Sequence, residues 1–583
     1  MSRAMGWGAR RAALGHRIQA RLASRARPGG PIAWPEPRIA GDPARGRQLL
    51  RGRLRLGEEL LERTDLSPWD LAFGEPEAVR LHGMAWLDDL SAVGSVQARR
   101  HAQVWVAEWI ARHGRGTGPG WTPELAADRL IHWMGHAQFL LHPPGIGEES
   151  LGWATAVHAR FLERRWHQAP PGRPRVAALV ALVFAGLALP DRRALATKAT
   201  EALAQETGRV IDSQGAIATR NPQELLEIVA LLVATNQALT RADLLPDPVI
   251  GATIARAAPT LRALRHADGG LARFHGGCRG AEGQLDQVLA AAGRPSMAVL
   301  RAGVPLHMGF LRLAAGRTTV IADAAPPPRG AVSTLAHAST LAFELTSGRR
   351  PLVVAIGPGR SFGPRWRRAA RATAGHSTLA LDMVSSSRLG LPLPGEDGAR
   401  FVEVPARVLA EAGPQTDGLR VELAHDGWRP SHGLTHARLL HLSPEGRKLQ
   451  GEDLLTTLTA ADAIAFDAAL NASNHLGLAF AVRFHLHPDV EAELLADGSV
   501  GMTLPSGEDW VFSHESDAAL ILEPSVYLEE GRLRPRPTTQ IVLEGRALRP
   551  ATRLRWTLAK AYGTPEGLRD LKPRMDWDEE DEE

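Results

Sequence analysis

The chain of 583 residues contains one cysteine, Cys278. That count excludes an intramolecular disulfide and any zinc site built from several thiolates. Lysine is nearly missing too, standing only at Lys198, Lys448, Lys560 and Lys572, so the positive charge is almost all arginine. With abundant Ala, Gly and Pro, this reads as the coding bias of a GC-rich genome, and arginine abundance alone carries no functional weight. Tyrosine occurs only at Tyr527 and Tyr562, which leaves the N-terminal half without a phenol for proton transfer. No apolar run reaches the roughly 20 residues that cross a bilayer; the longest, Val176 to Leu189, stops at Pro190 and predicts a buried helix. The N-terminus lacks the apolar stretch of a signal peptide, which points to the cytoplasm. No phosphate-binding Gly-rich loop with Lys-Ser/Thr and no HExxH pair is present. Gly359 to Gly363 has the letters of a serine-hydrolase elbow, but Pro358, Pro364 and the short strands around it do not fit the parallel strand–turn–helix that an elbow requires. The net charge of +4, from 68 basic and 64 acidic residues, is too balanced to indicate nucleic acid.

What is present is organised in two halves. Residues 1–43 form a basic N-terminal segment and a Pro/Gly-rich linker, and such a basic helix is able to lie on an anionic membrane surface. From 44 to 290 apolar residues recur at helical spacing (Trp86, Leu87, Leu90; Trp105, Trp109, Ile110; Leu130, Ile131, Trp133, Met134), with Gly and Pro between the repeats. From 296 to 560 the period shortens to that of strands. Arg312 to Ala322 alternates about a turn at Gly316, Leu341 to Ile356 folds back at Ser347-Gly348, and Val482, Phe484 and Leu486 alternate with Arg483, His485 and His487. This predicts an all-α domain followed by an antiparallel β-sandwich or sheet stack. Residues 561–583 are an acidic tail, with seven acids around Trp577 in the last eight positions.

The order of the halves, with the phrases GFLRLAAGRTTVIADA (309–324), AHASTLAFELTSGRRPLVVAIGPG (336–359), ATAGHSTLAL (372–381) and RFHLHPDV (483–490), resembles the heparinase II/III family of polysaccharide lyases. ALVFAGL (181–187) and GAIATRNPQELLEIVALL (215–232) resemble that family's helices around the active cleft. The resemblance implies an incomplete (α/α) toroid joined to an antiparallel β-sandwich, with an acidic polysaccharide or oligosaccharide bound between them. It also implies a periplasmic or cell-envelope location.

The family's chemistry is β-elimination from a uronic acid. A carboxylate must be neutralised, a base must remove the neighbouring proton and an acid must protonate the leaving oxygen. The resemblance implies Arg173 at the position of the neutralising asparagine, and Glu224 and Leu225 at those of the tyrosine and histidine. Leu335 stands at the first histidine of the β-domain cluster, with His337 and His376 retained. The acid of the family's zinc site falls on Ala355 or Ile356, so neither a metal nor any other cofactor is expected. The expected site therefore has Arg173 holding the carboxylate, His337 as general base or acid, and Glu224 and His376 in support. Arg220, Asn221, Arg273 and His275 are expected to contact substrate. The reading is a lyase acting on a uronate-containing polymer; the alternative is a non-catalytic carbohydrate-binding or envelope-biogenesis protein that kept the fold and lost the Tyr/His pair.

Overall fold

The computed structural model describes the chain except residues 1–6, 29, 31, 36, 38, 64–66, 72–78, 294–304, 393–397 and 562–583. Among the described residues eleven longer α-helices carry the first half: α1 (Trp7–Ala23), α2 (Pro43–Leu50), α3 (Trp86–Val93), α4 (Val96–His113), α5 (Pro123–Gly135), α6 (Glu148–Arg165), α7 (Arg173–Ala188), α8 (Arg193–Val210), α9 (Pro222–Arg241), α10 (Pro248–Ala263) and α11 (Gln284–Ala291), with a short turn of helix at Ala137–Leu141 after α5. Their starts are set by side-chain caps. Ser95, Thr122, Asn221 and Asp247 each accept an amide of the first turn, and Pro123, Pro222 and Pro248 occupy the position where a missing N–H costs nothing. Helix α7 packs against α5, α6, α8 and α9, and Val176 to Gly186 are all buried, as the apolar run predicts. A two-stranded hairpin, Arg53–Leu56 with Glu59–Glu62, interrupts this half and was not legible in the helical pattern.

The second half is two packed antiparallel sheets. One runs, edge to edge, through Val408–Gln415, Gly418–Trp428, Leu434–Leu442, Lys448–Thr456, Ala551–Lys560, Asp509–Glu515, Val500–Thr503 and Glu491–Leu494. The other runs through Ala519–Tyr527, Arg536–Ala547, Leu478–Leu486, Arg350–Val354, Phe343–Ser347, Thr318–Asp323 and Phe310–Ala315, with Leu379–Leu381 also paired to Leu478–Leu486. The turns fall where the sequence marks them, at Gly316 and at Ser347-Gly348. Val482, Phe484 and Leu486 point into the sandwich core with Phe343, Phe512 and Trp556. Among the described residues three α-helices depart from the strand pattern: Pro364–Ala370, the single turn Arg429–His432, and Ala460–Ala472, which starts from a capping box of Thr459 and Asp462. The fold is the expected toroid followed by a β-sandwich. The last described helix of the first half ends at Ala291 and the sandwich's first strand begins at Phe310. The expected start at 296 lies outside the described residues, and so does the tail after Ala561.

The two halves share apolar contacts. Met308, Phe310, Ile321 and Ala342 of the β half belong to the helical core, and Phe310 stacks on Phe274 at 5.1 Å. These contacts pack the end of the helical half directly against the first strands of the sandwich.

Candidate functional site

The residues singled out in the sequence fall into two groups. The first is buried at the junction of the halves and is built on Asp323, at the end of the strand Thr318–Asp323. Its carboxylate is fully buried, accepts from Arg220 Nη2 at 2.5 Å and from Ser339 Oγ at 2.7 Å, and lies 3.5 Å from His275 Nε2. The Arg220 guanidinium also donates to the carbonyls of Met308, Gly309, Ala325 and Pro326, and it covers the Phe310 ring. Arg220 holds the loop before α9 to the β half through these bonds, which occupy the donors expected to reach a sugar. His275 Nδ1 accepts the backbone N–H of His337 at 3.2 Å, which fixes its proton on Nε2, toward Asp323. The rings of His337 and His376 lie 5.1 Å apart, and His376 Nε2 donates to the Ala370 carbonyl at 3.1 Å. Nδ1 of each is buried without a hydrogen-bond partner.

The sequence thus brings His275, His337 and His376 together, but in a closed place: all three are 2 % exposed or less. Burial first, then mutual repulsion and the nearby guanidiniums, keeps His275 and His337 well below the ordinary imidazole range; burial takes His376 down to about 4, against the pull of Asp323. These imidazoles are neutral at physiological pH. Arg273 is likewise internal. Its guanidinium faces Glu344 and Asp268 at 3.6 Å, and Glu344 also accepts from His266 Nε2 and from the Arg273 amide at 3.1 Å.

The second group lies on the helical side. Gly172, with φ of 92°, turns the chain into α7 and presents Arg173 at its first position. Arg173 Nη1 bonds Asp128 Oδ1 at 2.5 Å and its Nε lies 3.3 Å from Glu227 Oε2. Glu224 accepts from Thr219 Oγ1 at 2.6 Å, and Asn221 caps α9 through the amides of Gln223 and Glu224. Burial opposes the charge of Arg173, but Asp128 and Glu227 outweigh it and hold its pKa above the ordinary guanidinium range. Burial, with Asp128 for Glu124 and Glu530 for Glu227, lifts both glutamates above the ordinary carboxylate range, against the pull of Arg173. The group is a nest of acids around one internally neutralised arginine. Among the described residues, no hydrogen bond, ion pair or ring contact joins Arg173 or Glu224 to His337 or His376.

Sequence reasoning missed the partners Asp128, Glu227, Asp323, Ser339 and Glu344. Asp128 follows Glu124 by one turn of α5, which marks an acidic face, but its pairing with Arg173 spans 45 positions and has no sequence signal. Leu335, Ala355 and Ile356 offer no ligand atoms, and Asp323 is already held by Arg220 and Ser339, so the residues do not fit the zinc site that the family resemblance implies. Among the described residues no group of three or more His, Cys, Asp or Glu is arranged for a metal.

The family model described as "Heparinase II/III-like, C-terminal" matches residues 302–557. FtsZ-localized protein C of Caulobacter vibrioides (strain NA1000 / CB15N) is 32% identical over 562 residues, covering 94% of this chain and 93% of the relative. The crystal structure of heparinase III aligns with a TM-score of 0.63 at 13% identity, over 95% of this chain and 90% of that one. A mutant of heparan sulfate lyase HepC from Pedobacter heparinus aligns with a TM-score of 0.56, also at 13% identity, over 95% and 89%. At such identity the two lyase structures share the fold.

Proposed function

The chain belongs to the heparinase II/III-like family, and from that premise we propose that it is a non-catalytic member working at a membrane surface, in the company of FtsZ. The carrying observation is Arg173: at the position of the family's neutralising residue stands a guanidinium already paired with Asp128 and Glu227. Taking up a uronate there means breaking both pairs and bringing a further anion into a nest of carboxylates. The proton-transfer positions are equally unsuited, since Glu224 and Leu225 replace the tyrosine and histidine and the remaining imidazoles are buried. The name of FtsZ-localized protein C supports placing this chain with FtsZ, because this chain matches that relative over nearly its whole length. No helix among the described residues is long and apolar enough to cross a membrane.

Helix α1 supplies the means. One face docks on α6: His16, Ala20 and Ala23 are buried, Arg165 donates to the Gly15 carbonyl at 3.0 Å and Trp153 to that of Ser24 at 3.2 Å. The other face presents Leu14, Ile18 and Leu22, 59%, 48% and 41% exposed, at i, i+4 and i+8. Arg10, Arg11, Arg17, Arg21 and Arg25 are exposed beside this stripe and have no carboxylate partner among the described residues. An apolar stripe edged with arginine is the pattern of an interfacial helix, and each arginine near an anionic surface adds about 1 kcal/mol.

Two outcomes test the proposal. Incubated with a panel of uronate polymers, the protein is expected to give no near-ultraviolet absorbance from an unsaturated uronate, while Arg173→Ala is expected to lower stability by about 2 kcal/mol, because Asp128 and Glu227 lose their partner. Appearance of the unsaturated product, abolished by Arg173→Ala in a folded variant, would restore the lyase reading. In co-sedimentation, vesicles containing an anionic phospholipid are expected to retain the protein and zwitterionic vesicles to release it. Leu14→Glu with Ile18→Glu is expected to weaken retention roughly a hundredfold, since two buried aliphatic side chains become charged. Equal retention of parent and variant would remove α1 from the proposal.

A further inference from the structure

A groove of about 330 Å³ lies on the β half, lined in part by Ala372, Thr373 and Ala374, just ahead of the buried His376. Ala374, Ala479, Ala481 and Gly545 line it with side chains small enough for a ligand to approach the backbone closely. Three charged side chains also line it, Arg483, Glu544 and Arg546, the last donating to the carbonyls of Leu476 and Gly477 at 3.3 and 3.2 Å. Ala481 pairs with Glu544 and Arg483 with Val542, so Arg483 and Glu544 are diagonal neighbours on one sheet face. Both are half-buried, and among the described residues neither has an ion-pair or side-chain hydrogen-bond partner. The rim is a two-residue turn, Asp382-Met383, closed by the Val384 N–H to the Leu381 carbonyl at 2.8 Å. Both turn residues are left-handed, with φ of 49° and 58°, where Asn-Gly is the usual choice. This strained turn leaves Met383 91% exposed at the groove.

We propose that this groove is a docking site for an indole flanked by carboxylates, and that its occupant is the chain's own Asp576-Trp577-Asp578. A guanidinium attracts an indole face, a thioether packs at its edge, and a buried indole N–H needs an acceptor, the part Glu544 plays. The flanking carboxylates meet Arg483 and Arg546, both in the lining. The tail is long enough. The strand Ala551–Lys560 starts at the groove end of the sandwich, just after the strand that contributes Gly545 and Arg546, and carries the chain roughly 34 Å away. From Ala561 to Trp577 an extended chain returns up to about 53 Å. Tethering also raises the effective concentration of the tail into the millimolar range, so modest contacts suffice.

The test uses the full chain and two variants, Trp577→Ala in the tail and Arg483→Glu in the groove. Amide hydrogen exchange of residues 382–385 and tryptic cleavage after Arg574 are both expected to be roughly tenfold faster in each variant than in the parent, because docking protects groove and tail together. The unfolding midpoint of Trp577→Ala is measured alongside, and a variant that unfolds at the parent's midpoint yet is cleaved no faster counts against the proposal. Equal cleavage after Arg574 in parent and Arg483→Glu overturns the proposal. So does faster exchange in Arg483→Glu that Trp577→Ala does not reproduce, since the groove's occupant is then not the tail.

Discussion

Asp453→Ala is expected to prevent the β-sandwich from folding at ordinary temperature. Asp453 is fully buried between the sheets and accepts four hydrogen bonds: from Arg438 Nε at 2.8 Å and Nη2 at 3.0 Å, from His436 Nε2 at 2.7 Å and from Trp556 Nε1 at 2.9 Å. Arg438 Nη1 continues to the carbonyls of Leu341 and Ser377, so one guanidinium ties the strand Leu434–Leu442 to the chain of the facing layer. Burial opposes the charge on Asp453, but Arg438 and His436 outweigh it and hold the carboxyl far below its ordinary range. Removing the acid leaves a buried guanidinium unpaired, which costs about 3–5 kcal/mol, before the stranded indole and imidazole donors are counted. Domain stabilities are about 5–15 kcal/mol, so the loss consumes much of the total. The check is soluble yield and chemical denaturation. Asp453→Leu combined with Arg438→Met is expected to recover part of the loss, because an apolar pair strands no charge. If Asp453→Ala alone melts within a few degrees of the parent, the network is not what joins the sheets.

How far the sequence leads depends on the range of the interaction. Local periodicity carried the order of helices and strands, and short-range turn chemistry at Gly316 and Ser347-Gly348 carried the hairpins. The helix Ala460–Ala472 went unread although Thr459 and Asp462 signal its start, because its apolar residues show no one-sided pattern. The inward set Val482, Phe484 and Leu486 was legible. The burial of the opposite set was not, because His485 is covered by a distant loop: its Nε2 meets the Ala374 carbonyl at 2.9 Å and its Nδ1 meets Ser525 at 2.9 Å. The candidate site divides the same way. The pairing of His337 with His376 was carried by family phrases, whereas the neutralisation of Arg173 by Asp128 and of Arg220 by Asp323 depends on pairs 45 and 103 positions apart. An arginine that reads as free in a sequence is a poor guide to a ligand until its carboxylates are known.

Stability is expected to fall steeply with acid, beginning near pH 6.5 rather than near pH 4. Burial is the first cause in each case: it takes His376 down to about 4 and, aided by Arg129 and His113, His82 to about 3. His485 falls to about 3 despite the hydrogen bond its Nε2 donates to the Ala374 carbonyl. His158, His275, His337, His425 and His436 are lowered as well. The sign follows from linkage. These groups are neutral in the fold but take a proton near pH 6.5 when unfolded, so their contribution is complete above 6.5 and is lost as pH falls toward their folded values. Each such histidine contributes a slope of about 1.4 kcal/mol per pH unit in that window. Asp89, raised to about 6 by burial, Glu124 and Glu227, raised chiefly by burial, and His132, raised by Asp88 in spite of burial, work the other way, adding stability that is lost as pH rises, but the lowered histidines outnumber them. The three histidines with the largest stated shifts alone account for about 4 kcal/mol per pH unit, enough to offset an ordinary domain's stability between pH 6.5 and about 5. The measurement is the thermal midpoint from pH 8 to pH 4.5, expected to be nearly level above 7 and to drop sharply below 6.5. His485→Asn, which keeps a side-chain amide near Ala374 and Ser525, should flatten the drop by about one proton's slope. A midpoint that stays level down to pH 4.5 would mean that these imidazoles are solvated, and the closed histidine group at Asp323 would then be open to a substrate after all.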